Sequence, residues 1–376
     1  MLCLAGCEER SLLPGDEAID FGEGDGDGDP GDGDSGDVDL GDGDGDNTSG
    51  DGDGDGTIAC APIVGSLVIT DETPPESVVC VERVLGDLTV GPTTGLVDLQ
   101  LLSSLRRVGG TAYIVGNLAL TSVDGLASLD QVEWLHVRRN RNLSDLHGLD
   151  SLTDVGRITV TDNDGMTSLA GLPDGLAPTH LEVADNQLLA SLDGLPVLLA
   201  PGTGPLQIEI DDNPSLIDLG GLSDCCADQA PALTLAGNAK LPDLDGLEAF
   251  VRLDSLRLHD NPALATLDGL DNLVEVRTLD IRFDRCLANN HASLVNLLGA
   301  PNLTQIDVLQ IQWIDSLASL AGLEGVDGLD TLRVRSNEAL PWDAVLELAA
   351  RTEPTTLDAC GGVGGPECSS EPCPMF

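Results

Sequence analysis

The sequence predicts a repeat solenoid: turns of about 23 residues, each carrying one short strand, stacked so that their leucines form a continuous core. Three observations predict it. First, an Asn recurs behind a pair of alternating aliphatic residues, as in Leu135-His-Val137-Arg-Arg-Asn140, Ile158-Thr-Val160-Thr-Asp-Asn163 and Leu181-Glu-Val183-Ala-Asp-Asn186. The pattern continues through Ile208–Asn213, Leu233–Asn238 and Leu256–Asn261. Asn117 opens the series; spacings are 23 as far as Asn186, then 27 and 25, then 23 again to Asn261. Asp284 takes the Asn place one repeat later, Ile314 takes it after a longer insertion, and Asn337 closes the series. Second, the Asn residues are followed by Leu, Leu and a Gly-Leu pair, as in Leu189, Leu192 and Gly194-Leu195, or Leu264, Leu267 and Gly269-Leu270. Third, 41% of residues are hydrophobic but only 2% are aromatic. A core of Leu, Val, Ile and Ala suits many similar thin layers better than one irregular centre.

The elements of a turn follow from its residues. Alternation of the Leu-x-Val type makes a short strand with two side chains inward and the intervening ones outward. The Asn then sits where the chain bends, and its amide can bond backbone groups that the bend leaves unpaired. Repeated turn after turn, these amides form a ladder; losing one costs about 1–3 kcal/mol. Gly before the final Leu permits the tight return. One turn alone cannot bury its leucines, so neighbours must stack.

Along the chain, residues 1–15 come first. Leu4-Ala5-Gly6-Cys7 resembles a bacterial lipobox, which implies that Cys7 carries lipid. Only Met1–Cys3 precede it, too little for the basic and apolar regions of a leader. Two alternatives stand: the true start lies upstream, or the tetrapeptide match is accidental. Residues 16–57 form a tether of nearly alternating Asp and Gly, with seventeen acidic residues between Asp16 and Asp55 and no Lys or Arg. Such a segment is expected to be extended and disordered. It lacks the Glu and flanking helices of an EF-hand loop, so the expectation is a solvated spacer, with weak, counterion-like Ca2+ binding the most it offers. The net charge of −48 argues against nucleic acid and anionic lipid as partners and favours a soluble monomer. No apolar run reaches 18 residues, so membrane contact is expected only through a lipid anchor.

Residues 58–110 form an N-terminal cap and first turns, with strand-like Gly65–Thr70 and Gly86–Val90. Residues 111–340 are the solenoid. Residues 341–376 hold a short helix from Pro341-Trp342-Asp343 to Ala350 and a Cys-rich end. Ten cysteines without zinc spacing read as disulfides of an oxidising compartment. Beyond Cys3 and Cys7, the pairing of Cys225, Cys226, Cys286, Cys360, Cys368 and Cys373 is left open; Cys225-Cys226 form a vicinal bridge or pair elsewhere.

The pattern Leu-x-Val-x-x-Asn-x-x-Leu-x-x-Leu-x-Gly-Leu, with Cys80 and Gly86-Asp-Leu88-Thr-Val90 near the start, resembles the receptor L-domain family, a relative of leucine-rich repeats. The resemblance covers roughly residues 58–360. It implies a right-handed parallel β-solenoid with an N-terminal cap closed by a Cys60–Cys80 disulfide, and extracellular recognition with no catalytic residues.

Nothing in the sequence spells out catalysis. The five His (His136, His147, His180, His259 and His291) lie apart, with no His-Glu-x-x-His and no Gly-x-Ser-x-Gly. Asp162-Asn163-Asp164-Gly165 looks calcium-like but falls on the repeat's own turn. What remains is the outward stripe of the strands. Its candidate binding residues are Tyr113, His136, Arg138, Arg257, His259, Arg282, Gln310, Gln312, Arg333 and Arg335, with Trp313 beside them. Arg and aromatic side chains are favoured anchors, and from Arg257 onward the stripe reads as basic or amide on an acidic body. These features lead to the expectation of a lipid-anchored envelope protein that recognises an extracellular protein or glycan. The alternative is a passive envelope or surface-coat protein, dependent on calcium or not.

Overall fold

A computed structural model describes residues 62–222, 230–283 and 293–368, all within one compact unit, Ile58–Ser370. Cys7, the Asp-Gly tether, Cys60, Cys225, Cys226, Asp284, Cys286 and Cys373 lie outside the described residues.

The aliphatic alternation produces strands at the expected intervals. They are β1 (Leu67–Ile69), β2 (Arg83–Val84), β3 (Leu88–Val90), β4 (Arg107–Val115), β5 (Gln131–Arg138), β6 (Asp154–Thr161) and β7 (His180–Ala184). There follow β8 (Gln207–Asp211), β9 (Ala232–Ala236), β10 (Arg252–His259), β11 (Glu275–Arg282), β12 (Gln305–Gln312), β13 (Thr331–Arg335) and β14 (Thr356–Cys360). They form one 14-stranded sheet in chain order, with β2 off the path against β4. The pairings are parallel, so the molecule is a parallel β-solenoid. Register stacks like on like: Leu135, Ile158, Leu181 and Ile208 share one inward column, Val137, Val160, Val183 and Ile210 the next. These side chains are buried to 1% exposure or less. The core is aliphatic throughout apart from Phe250 and Phe283.

The ladder forms as the bend requires. Asn163 Nδ2 donates to the Val137 carbonyl of the preceding turn at 2.9 Å, and Asn163 Oδ1 accepts from the Asn140 N–H at 3.0 Å. The same pair of bonds recurs at Asn140, Asn186, Asn213 and Asn238. Thr93 opens the ladder, donating its hydroxyl hydrogen to Asn117 Oδ1. At Ile314 the backbone N–H still donates to Asn337 Oδ1, while the side chain is packed as a hydrophobe.

The residue before each ladder position turns the chain through the left-handed region. Asp162, Asp185, Asp212 and Asp260 do so at φ 52–57°, with Gly116, Arg139, Gly237 and Ser336 at the equivalent places. Asp and Gly are the residues that tolerate this conformation best. Gly269 shows why the Gly-Leu pair is fixed: at φ 102° an added Cβ would also run into the Leu244 carbonyl of the preceding turn.

The C-terminal end is capped by α1 (Trp342–Thr352), which starts where Pro341-Trp342-Asp343 predicts it and runs two residues past Ala350. Val345 and Leu348 bury its inner side, and the Arg351 guanidinium donates to the carbonyls of Leu323, Glu324 and Val326. The chain then adds β14 and closes the end with a Cys360–Cys368 disulfide, which resolves one of the pairings left open by the sequence. At the other end Cys80 is a half-buried free thiol. Its expected partner Cys60 lies outside the described residues.

Candidate functional site

Parallel register turns alternate outward residues into columns along the solenoid. One column runs Thr89, Tyr113, His136, Thr159, Glu182, Glu209, Thr234, Arg257, Asp280, Gln310, Arg333 and Asp358. The next carries Arg138, Thr161, Ala184, Asp211, Ala236, His259, Arg282, Gln312 and Arg335. The sequence places ten of its candidates on these two columns, and the structure puts them there. A third outward column, Thr111, Trp134, Arg157, His180 and Gln207, lies on the other flank and escaped the sequence reading.

The first of three patches on this face is aromatic. Tyr113, Trp134 and His136 pack with ring centroids 5.2–6.3 Å apart, and the Arg157 guanidinium lies 5.0 Å from the Trp134 ring centroid. The Trp134 indole N–H donates to the Thr159 hydroxyl at 3.1 Å, which fixes the plane of the ring. Arg157 makes no ion pair within 4.0 Å among the described residues, whereas Arg138 pairs with Asp162 at 2.9 Å.

The second patch is acidic. Glu182, Glu209 and Asp211 face outward over the small residues Ala184, Thr234 and Ala236. Burial, then the neighbouring charges of Glu209 and Asp212, push the Asp211 carboxyl up to about 7. Glu182 is held below the usual carboxylate range, chiefly by the His180 imidazole 3.9 Å away. Among the described residues no group of three or more His, Cys, Asp or Glu is arranged to hold a metal ion.

The third patch is the basic part of the stripe, and most of its arginines are ion-paired. Arg333 and Arg335 both grip Asp358, at 3.1 and 2.9 Å, and Arg333 also donates to Gln310 Oε1. Burial alone raises the Asp358 carboxyl, but the two guanidinium groups outweigh it and hold it below its ordinary value. Arg282 lies 3.5 Å from Asp280 Oδ2, which also meets His259 Nε2 at 3.2 Å. Of the five stripe arginines, Arg257 has no carboxylate within 4.0 Å among the described residues; its contact is the Ser255 hydroxyl. Gln312, 7% exposed, is nearly buried beside Gln310. The basic charge is therefore largely neutralised at the face itself, by acids on the same strand, on the neighbouring strand or in the turn after it.

Trp313 departs from the face. It occupies the turn after β12 in the left-handed conformation at φ 58°, where other turns use Asp, Gly, Ser or Arg. Its ring lines a depression of about 350 Å³ with Asp315, Ser336, Glu338 and Glu367. A bulky residue held there stores backbone strain of about 1–3 kcal/mol.

No protein-family model and no curated protein matches this chain.

Proposed function

We propose that the chain is a non-enzymatic recognition module of a bacterial cell envelope, anchored through lipid at Cys7 and binding an extracellular ligand across the outer face of its strands. One observation carries this reading. The chain has one Tyr and three Trp. The Tyr and one Trp stand together on the solvent-facing side of β4 and β5, packed with His136 and Arg157, while the core beneath is aliphatic. Aromatic side chains grouped on an exposed surface supply large, rigid contact area, the usual composition of a binding anchor. The likeness of the repeat to receptor L-domains points the same way.

The test is an array of glycans and surface proteins probed with the full chain, with and without calcium. The expected outcome is a saturable partner whose binding is lost in Trp134→Ala. A silent array, together with calcium-dependent assembly of the protein on its own, would instead establish the passive coat reading.

A further inference from the structure

The charge sequence along the face limits what can lie on it. Arg157 stands at one end, Glu182, Glu209 and Asp211 in the middle, and Arg257 at the far side, and neither of these two arginines has a carboxylate within 4.0 Å among the described residues. A polymer of uniform charge, of either sign, meets like charge somewhere along this path and loses what it gains elsewhere. A neutral ligand is not penalised.

Two built features specify what that neutral ligand offers. The first is the ring pair of Tyr113 and Trp134, tilted at 54°, with the indole plane locked by Thr159 and the Arg157 guanidinium over one of its faces, which leaves the Tyr113 ring and the other indole face to a ligand. An aromatic plane takes up the apolar C–H face of a sugar ring, and the guanidinium donates to hydroxyls at its edge. Because the indole is already fixed, little ordering is lost on binding.

The second is Asp280. Its side chain is 6% exposed although it points outward, because the longer side chains around it close over it. Oδ2 meets His259 and Arg282, but Oδ1 has no hydrogen-bond donor among the described residues. A buried carboxylate oxygen normally has one, and its lack is costly. Next to it in register, Arg257 contacts a Ser255 hydroxyl and no carboxylate among the described residues. The pair therefore combines an acceptor that needs a donor with a donor group that needs acceptors. Hydroxyl groups donate and accept at once, and two neighbouring hydroxyls bridge such a pair. Arg282, whose side chain is 43% exposed, is the part of the cover able to swing aside.

We infer that the ligand is a neutral oligosaccharide lying along the solenoid axis, stacked on Trp134 and Tyr113 and hydrogen-bonded through vicinal hydroxyls to Asp280 and Arg257. This rests on the recognition reading above and names its ligand class. Trp134 on β5 and Asp280 on β11 are six strands apart, about 29 Å at the usual strand spacing of ~4.8 Å. A single short sugar cannot span that distance, so affinity rises with chain length as the second end engages.

The experiment uses the full chain against cellulose-, chitin-, amylose- and mannan-derived oligosaccharides from disaccharide to octasaccharide. Hyaluronan and chitosan oligomers serve as anionic and cationic counterparts, and a panel of envelope proteins is run beside them. The expected result is saturable binding to a neutral oligosaccharide, tighter for longer chains. Trp134→Ala and the isosteric Asp280→Asn each weaken it about tenfold or more, the scale of one lost anchor contact. Trp134→Phe, which keeps a ring, restores part of the loss, and unchanged thermal melts certify the fold of each variant. Preference for a charged oligomer, or neutral-sugar binding unaffected by both substitutions, overturns the inference. A protein ligand with no sugar binding overturns it and leaves the recognition module standing. Silence on every probe removes both.

Discussion

Asn163 offers the most direct test of what closes the turns. It is fully buried in the middle of the ladder, with its Oδ1 on the Asn140 N–H and its Nδ2 on the Val137 carbonyl. Asn163→Ala leaves both of those backbone groups buried without a partner. At about 1–3 kcal/mol for each stranded group, the loss is roughly 2–6 kcal/mol before any cavity is counted. Asn163→Asp separates the two bonds, since it keeps an acceptor for Asn140 but sets an oxygen against the Val137 carbonyl. In a solenoid, stability is largely a sum over neighbouring turns, so the damage should be local. Hydrogen–deuterium exchange read by mass spectrometry is the matching assay. A loss of about 2 kcal/mol speeds exchange at the Asn140 amide and along β5 and β6 roughly thirtyfold, while β11 and β12 keep their protection. Unchanged protection at Asn140, with a urea midpoint within error of the parent, would refute the claim that the amide ladder holds the turns shut.

Four further outcomes are expected. Asp211 has its carboxyl raised to about 7, well above the ordinary carboxylate range, so its folded form holds a proton that the unfolded chain releases. Its contribution is full below about pH 4 and is lost as pH rises to about 7, a decline on the order of 3–4 kcal/mol. Asp211→Asn should therefore stabilise the protein at pH 8 and make little difference at pH 4, as urea unfolding at the two pH values will show. Gly269→Ala combines a strained φ with a clash on Leu244 and should lower stability by about 2 kcal/mol or more, measured by thermal melts. Replacing Cys360 and Cys368 by Ser opens an 8-residue link and should cost about 2–3 kcal/mol, appearing as lost exchange protection in Thr356–Cys360. Arg351→Ala strands three carbonyls of the preceding turn and should free α1 to proteolysis before the rest of the chain.

The fold was legible because one turn's chemistry is written over and over. The Asn spacing located the strands, the Gly-Leu pairs located the returns, and Pro341-Trp342-Asp343 located the helix. The face was legible only from the Leu-x-Val motif of each strand onward. In β5 the inward residues are Val132, Leu135 and Val137, so two residues in succession face outward before the alternation resumes. Trp134, Arg157 and His180 each directly precede the Leu-x-Val motif, so a stripe built from the residues within and after that motif leaves them out. The neutralising role of Asp358 was hidden for a different reason. β14 carries Leu357-Asp-Ala359 with no Asn after it, so the series seemed to end at Asn337, although the same alternation continues into the Cys-rich tail. Nor could one sequence show that Asp280 would be enclosed by its neighbours, because enclosure depends on which long side chains the register sets beside it.

The ladder's bonds to backbone point one way: each Asn amide serves an N–H and a carbonyl of the turn before it, and only side chain meets side chain in the forward direction, as from Asn117 to Asn140. Every turn is thus finished by the one made after it. As the chain leaves the ribosome, the newest turn always has an open N–H and an open carbonyl, and the next turn arrives carrying the amide that fits them. The two ends of a shortened array are consequently unequal. Removing turns from the N-terminal side frees an amide that water can serve, whereas removing them from the C-terminal side uncovers backbone groups that were shaped to be covered. Deletions should be tolerated from the first end and resisted from the second, and α1 with its disulfide stands at the end that has no successor.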